Sequence, residues 1–194
     1  MLVCVFGTTM QTLGLSESTP KPENRLKSLF WPSVQTGTDV DYLGAQGYWV
    51  CAIIAAFSFV VLVAQGHAPV GFVILLLFYL GGVGVRERSP AAAMIVFAFY
   101  FFDTVLSGIS VVKIILGALL LANVRATWIA SEWKPDSSEA ELPPRLGDTW
   151  GDKFADKLPA LLWPKLRIFY FVFSCLVGAL FILGEAAVLV KRLR

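Results

Sequence analysis

Residues 90–124, PAAAMIVFAFYFFDTVLSGISVVKIILGALLLANV, form an apolar run that is too long to be one membrane helix. A single helix over such a run would be about 52 Å long, whereas the hydrocarbon core of a bilayer is about 30 Å thick. The tetrapeptide SGIS at 107–110 is the turn-like break in the run. The run therefore predicts two antiparallel spans, at 90–106 and 110–130, that turn at Gly108.

The composition of the whole chain is that of a membrane protein. Of its 194 residues, 57% are hydrophobic and 15% are charged, whereas a soluble domain is about 45–50% apolar and about 25% charged. The apolar excess lies in residues 45–125 and 166–190, where long apolar runs alternate with short polar breaks. We therefore expect an all-α fold, a polytopic integral membrane helical bundle.

Three further apolar runs predict spans at 45–65, 69–85 and 165–190. The first has enough residues to rise about 31 Å, and the second rises about 25 Å, which is near the short limit for a crossing. Ser89 followed by Pro90 is a typical N-cap and first helical residue, and it begins the third span. Five spans are expected, and an alternative with four, in which the long run is one tilted helix, stays open.

Polar and apolar segments divide the chain into four regions. These are a polar amino-terminal segment at 1–43, a four-helix membrane region at 44–133, a cytoplasmic loop at 134–164, and a membrane helix with a basic tail at 165–194. Within the first region, residues 25–32 (RLKSLFWP) have the composition of a short interfacial segment.

The cytoplasmic loop contains DTWGDKFADKLPALLWP, which predicts an amphipathic helix. Trp150, Phe154 and Leu158 recur every four residues, so we expect this helix on the membrane surface or against the bundle. A second stripe holds Asp148, Asp152 and Asp156. Aspartates that alternate with lysines are typical of a solvated face rather than a metal site.

Charged residues inside spans are candidates for function, because each costs at least about 2.5–3.5 kcal/mol to insert. Asp103 and Lys113 lie five residues on either side of Gly108, so a hairpin would bring them to the same depth. The first interpretation is an ion pair that fixes the hairpin register. An ion or proton path, or contact with a partner or a lipid headgroup, stays open. With Glu185 of the last span, these residues form a candidate polar cluster in the outer half of the membrane.

Small residues recur at helical spacing and predict close helix packing, within one chain or with a partner. These residues are Gly81, Gly84, Ala118, Ala122, Ala126, Ser174 and Gly178. Aromatic and basic residues that flank the spans are predicted interface anchors. The anchors are Trp31, Trp49, Arg125, Trp128 and Trp163.

The distribution of Lys and Arg predicts the orientation. With the amino terminus inside, most of the basic residues that flank the spans are cytoplasmic, including Arg86 and Arg88. The carboxyl terminus is then outside, although its basic tail, KRLR, favours the opposite side. The general pattern resembles that of small bacterial membrane proteins, and we expect the bacterial cytoplasmic membrane.

The sequence favours a protein that is not an enzyme. One histidine, His67, and three cysteines without a CxxC pair leave most metal and triad chemistries without their residues. No cofactor is evident, bound lipids are expected, and a net charge of +2 gives no reason to expect a nucleic-acid partner. We expect an accessory or scaffold subunit of a larger membrane complex, or a homo-oligomer. The alternative is a small oligomeric channel or transporter for a cation or proton that uses the polar cluster.

Overall fold

The computed structural model describes residue 34 and residues 37–132 and 150–193, with the side chains of 37–38, 152–153, 185–190 and 192–193 left out. The helices are α1 (Gly37–Ala64), α2 (Ala68–Arg86), α3 (Pro90–Ser107), α4 (Val111–Glu132), α5 (Trp150–Asp152) and α6 (Leu158–Leu193). A π-helical turn, Lys153–Lys157, joins α5 to α6. The described chain is thus all-α.

Five of these helices, α1 to α4 and α6, are long and apolar enough to cross a membrane. The predicted five-span bundle is therefore confirmed, and the four-span alternative is wrong. The break falls where the length argument put it: α3 ends at Ser107, α4 begins at Val111, and Gly108 has a φ of 95°. A positive φ is accessible to glycine at little steric cost, which explains why the long run turns there. Ser89 caps α3 as predicted, because its Oγ accepts a hydrogen bond from the Ala92 N–H.

Two of the boundaries that the sequence predicts between segments fall inside helices. α1 begins at Gly37, eight residues before the predicted span and within the segment assigned to the polar amino-terminal region. Its first turns are polar in composition, but they are held by the buried side chains of Val40 and Leu43. α6 continues through Pro164, so no break separates the loop from the last span. A proline inside a helix removes one backbone hydrogen bond and favours a kink, but it does not end this helix.

The long helices alternate in direction, which gives the bundle two faces. The N face holds the start of α1, the turn at 87–89 and the segment 150–157; the C face holds the turns at 65–67 and 108–110. α1 and α2 form one hairpin, α3 and α4 form a second, and α6 packs against α2 and, less extensively, α3.

Packing is dense in the half of the bundle nearest the N face, and glycines make it possible. The Cβ that an alanine would add at Gly81 would overlap Val96, and one at Gly84 would lie 2.6 Å from the Ala92 Cβ. Most of the buried residues of α2, α3 and α4 lie in this half. The two hairpins are therefore joined near the N face.

Towards the C face the two hairpins separate, although each stays closed at its own tip. The rings of Phe59 and Phe72 are 4.9 Å apart in the first hairpin. In the second, the Tyr100 hydroxyl donates a 3.2 Å hydrogen bond to the carbonyl oxygen of Lys113. Large apolar side chains in this half, such as Phe57 and Val112, are exposed. The bundle is thus tight at one face and open at the other.

A glycine substitution tests the close approach of α1 to α4. In Gly47→Ala the new Cβ would lie 2.6 Å from the Asn123 Cγ and 2.7 Å from a methyl group of Val85. We expect the free energy of unfolding, measured by denaturation in mixed detergent micelles, to fall by about 1–3 kcal/mol. Gly117→Ala is the matched control, since its Cβ would meet only Tyr100 at 3.7 Å. Equal losses in the two variants would contradict the close approach.

Candidate functional site

The separation of the hairpins leaves a cavity of about 1060 Å³ in the C-face half. All five long helices line it, and its walls are almost entirely apolar. Representative wall residues are Phe57, Val73, Leu77, Phe99, Leu116 and Leu180. A large apolar cavity with a few polar groups is the usual form of a ligand-binding site in a protein.

The polar end of the cavity is the ion pair of the second hairpin. The Lys113 Nζ lies 3.1 Å from the Asp103 Oδ2 and also donates a hydrogen bond to the Ser107 hydroxyl. Ser110, which lines the cavity with the pair, accepts a 3.3 Å hydrogen bond from the Lys113 N–H. The contact agrees with the hairpin register that the sequence predicts. The Asp103 side chain is 61% exposed, so the pair faces outward at the cavity rim rather than into the core.

The third member of the predicted polar cluster lies outside the described side chains. Glu185 belongs to α6, but nothing is described of its carboxylate. A cluster of three therefore stays a prediction, whereas Asp103 and Lys113 are brought together.

A second, smaller groove runs between α3 and α6, with a volume of about 630 Å³. Its lining includes the small residues Ala98, Ser174 and Gly178. Gly178 leaves room at the groove, because an added Cβ would meet only Phe99 at 3.5 Å. Ser174 is buried, and its hydroxyl donates to the carbonyl oxygen of Tyr170. Two of the predicted packing residues therefore border an apolar groove that the described chain leaves open.

Among the residues that the structure describes, the most buried charged one lies at the opposite end of the bundle. Arg86, at the end of α2, is 4% exposed. Its Nε donates to the Ala155 carbonyl oxygen at 3.1 Å, and its guanidinium forms a salt bridge with Asp156. Its Nη1 donates to the Asp41 carbonyl oxygen at 2.8 Å. A buried arginine with several acceptors is stable because its hydrogen bonds compensate for lost hydration.

Pro159 explains why the Ala155 carbonyl is available to Arg86. In an α-helix, the carbonyl of Ala155 would accept from the N–H of residue 159, but proline has no N–H. The π-helical turn at 153–157 lies at this point, and the oxygen accepts a hydrogen bond from the Arg86 Nε. Buried carbonyl groups are nearly always paired, so the arginine satisfies both its own donors and this acceptor.

Asp41 connects the first helix to the same cluster. Its carboxylate lies 3.5 Å from Arg86 and 3.0 Å from Arg88. Arg88 has a φ of 57°, and the N–H groups of Arg88 and Ser89 bond back to Val85 and Gly84. This is a Schellman cap, in which glycine is the usual residue at the left-handed position. An arginine at that position places its guanidinium on Asp41.

The sequence pattern does not predict this cluster. It indicates Arg86 only as a basic residue that flanks a span, and it predicts Asp156 on a solvated stripe; this second prediction is wrong because Asp156 binds Arg86. An aspartate that alternates with lysines has the same local pattern whether it faces solvent or binds a buried arginine. The one local signal is Pro159, whose missing N–H leaves an acceptor free.

The other predicted packing residues are used within the chain. Gly81 and Gly84 lie between helices, as described, and Ala122 and Ala126 of α4 are buried, while Ala118 is half-buried. The small faces of α2 and α4 therefore pack inside the bundle, whereas the described residues leave the groove beside α6 open.

The predicted anchors have different positions. Trp49 and Trp128 are exposed, and the indole N–H of Trp128 donates to Glu132, whereas Arg125 is half-buried. Trp163 packs inward, because Gly84 opposite has no side chain and the indole fills that space. Trp31 lies outside the described residues.

The apolar stripe of the amphipathic segment is exposed at its start. Trp150 and Phe154 stack with their centroids 6.4 Å apart, and both are exposed. Ala155, the next residue, is buried against the bundle. The segment therefore docks on the bundle by Ala155 and Asp156 and presents its aromatic rings outward.

Within the described residues, no group of three histidine, cysteine, aspartate or glutamate side chains is placed to hold a metal ion. Comparisons with family models, curated proteins and solved structures gave no match to this chain. The class of the protein therefore rests on its fold, a polytopic all-α membrane bundle with an apolar cavity at one face and a buried arginine at the other.

Removing the buried guanidinium should be far more costly than removing its neighbour. Arg86→Ala leaves Asp156 and the Ala155 carbonyl without their donor, and we expect a loss of about 3–5 kcal/mol in the free energy of unfolding. Arg88→Ala should cost about 1 kcal/mol or less, because that side chain is 33% exposed. Detergent denaturation measures both. If the two variants lost similar amounts of unfolding free energy, the larger structural role that we assign to Arg86 would be contradicted.

Proposed function

We propose that this protein is a non-enzymatic subunit of a larger complex in the bacterial cytoplasmic membrane, where it acts as an accessory or scaffold protein. The observation that carries the proposal is the open groove between α3 and α6. Its occupant is a transmembrane helix of a partner chain.

The packing of α6 supports this proposal. In its most apolar window, 11% of the residues are buried, compared with 50% for α2. Lipid tails are as apolar as leucine, so helices associate in membranes through close packing rather than through a hydrophobic driving force. Small residues beside larger apolar walls, as at Ser174 and Gly178, permit a close approach. The remaining faces with predicted small residues are already covered by the chain's own helices.

The orientation that we propose places the N face in the cytoplasm. Arg86, Arg88 and Arg125 lie near that face, and basic residues are enriched on the cytoplasmic side of membrane proteins. The carboxyl terminus is then outside. Tags placed at the two termini and probed with a protease in sealed vesicles distinguish this orientation from its inverse.

Filling the groove should release the partner. In Gly178→Leu the added side chain occupies space beside Phe99, while the Cβ itself meets only ordinary contacts. We expect the chains that co-migrate with the native protein after mild solubilisation to be lost or reduced about tenfold, the effect of removing about 1.4 kcal/mol of contact. The measurement is quantitative mass spectrometry of the affinity-purified complex.

Gly184→Leu is the matched control, because it lies on the same helix and its Cβ would meet nothing within 4 Å. It should retain the same partners at the same ratio. A wild-type chain that migrates as a homogeneous monomer, or partners retained by both variants, would contradict the proposal.

The second candidate function is a cation or proton channel or transporter formed by an oligomer. The observation that favours it is the position of Asp103 and Lys113 at the cavity rim. Asp103→Asn keeps the shape of the side chain and removes its charge, so cation or proton flux into vesicles should fall at least about tenfold if the carboxylate binds the ion. Unchanged flux in a folded variant would eliminate this candidate.

A further inference from the structure

We propose that the cavity between the two hairpins binds one zwitterionic phospholipid from the leaflet at the C face. The hydrocarbon chains occupy the apolar walls, and the headgroup lies on Asp103, Lys113 and Ser110. This cavity adjoins the α3–α6 groove of the proposed function and shares Phe99 and Phe181 with it, but lipid binding does not depend on a partner chain.

The depth of the cavity matches one leaflet. The wall residue Leu77 lies nine residues from the C-face end of α2, and Ile53 lies eleven residues from that end of α1. At 1.5 Å per residue these positions are about 14–17 Å from the helix ends. Half of a hydrocarbon core is about 15 Å. The cavity therefore extends from the headgroup level to about the midplane of the bilayer.

The length of the surrounding helices supports this depth. α2 has 19 residues and α3 has 18, so each is about 27–29 Å long and just crosses the hydrocarbon core. Their C-face ends must therefore lie at the boundary with the headgroups. The polar groups at those ends meet headgroups, and the apolar walls meet hydrocarbon.

The chemistry of the rim selects a headgroup that carries both charges. Among the described residues, the Lys113 ammonium donates to Asp103 and Ser107, which uses two of its three N–H groups. The third N–H and the Ser110 hydroxyl are available to a phosphate. The second carboxylate oxygen of Asp103 is available to the ammonium of the headgroup. A phosphate and an ammonium on one molecule thus complement an adjacent lysine and aspartate.

The exposure of the rim agrees with a ligand that comes from the membrane. The Asp103 side chain is 61% exposed and that of Lys113 is 27% exposed. An ion pair whose one role was to fix the register of α3 and α4 could equally be covered by the neighbouring hairpin. Here the hairpins stand apart, and the pair borders the cavity between them.

The test is a titration of the full-length chain in mild detergent with a short-chain phosphatidylethanolamine, followed by native mass spectrometry. We expect saturation at one lipid per chain. Lys113→Met should weaken binding about tenfold, the loss of one hydrogen bond to a charged group. A diacylglycerol with the same chains should bind more weakly to the wild-type protein and equally to wild type and Lys113→Met.

Two variants fill the cavity without touching the buried core. Val73→Trp and Leu180→Trp both place an indole inside, and each should reduce binding at least about tenfold because the chains lose their space. Val60→Trp and Leu183→Trp are matched controls on exposed positions outside the cavity, and they should bind as wild type does.

Three outcomes would overturn the proposal. They are equal binding by the filling and control variants, binding that does not saturate at one lipid per chain, and no preference of the wild-type protein for phosphatidylethanolamine over diacylglycerol. Because the filling residues do not line the α3–α6 groove, loss of partners from Gly178→Leu and loss of lipid from Leu180→Trp are separate results.

Discussion

The guanidinium of Arg86 is the interaction on which the arrangement of the bundle depends. Arg86 is the last residue of α2, and its guanidinium binds α1 through Asp41 and the π-helical turn before α6 through Ala155 and Asp156. Three segments that are distant in sequence therefore meet at one buried cation. An uncompensated cation there would be costly, so the geometry of all three segments is fixed together. The tight N face follows from this constraint, whereas the described residues show no charged contact that joins the two hairpins at the open C face.

The separation of the hairpins towards the C face gives the bundle two kinds of open apolar surface. The cavity lies between the hairpins and ends at charged groups, whereas the groove lies between α3 and α6 and has no charged residue in its lining. They share Phe99 and Phe181 in their linings. An amphipathic molecule suits the first surface and a helix suits the second, so one small bundle presents two different surfaces to its membrane.

Contacts between residues that are close in sequence were predictable, whereas contacts between residues far apart in sequence were not. The turn at Gly108 followed from the length of a bilayer, and the contact of Asp103 with Lys113 followed from their symmetry about that turn. The contact of Arg86 with Asp156 joins positions 70 residues apart, and each residue has an ordinary local pattern. The sequence did not predict the cavity either. The cavity depends on how the two hairpins are placed against each other, whereas the local sequence of each hairpin determines only the pairing of its own two helices.

The missing N–H of Pro159 also has a consequence for the order of assembly. The carbonyl of Ala155 acquires its partner from Arg86, which is made 69 positions earlier in the chain. During synthesis, α1 to α4 leave the ribosome before their last connection exists, and only the arrival of the segment at 153–157 completes the hydrogen bonds of Arg86. Domains form from the amino terminus onward as they are made. The hydrogen bonds of Arg86 therefore depend on a segment that is made after α1 to α4.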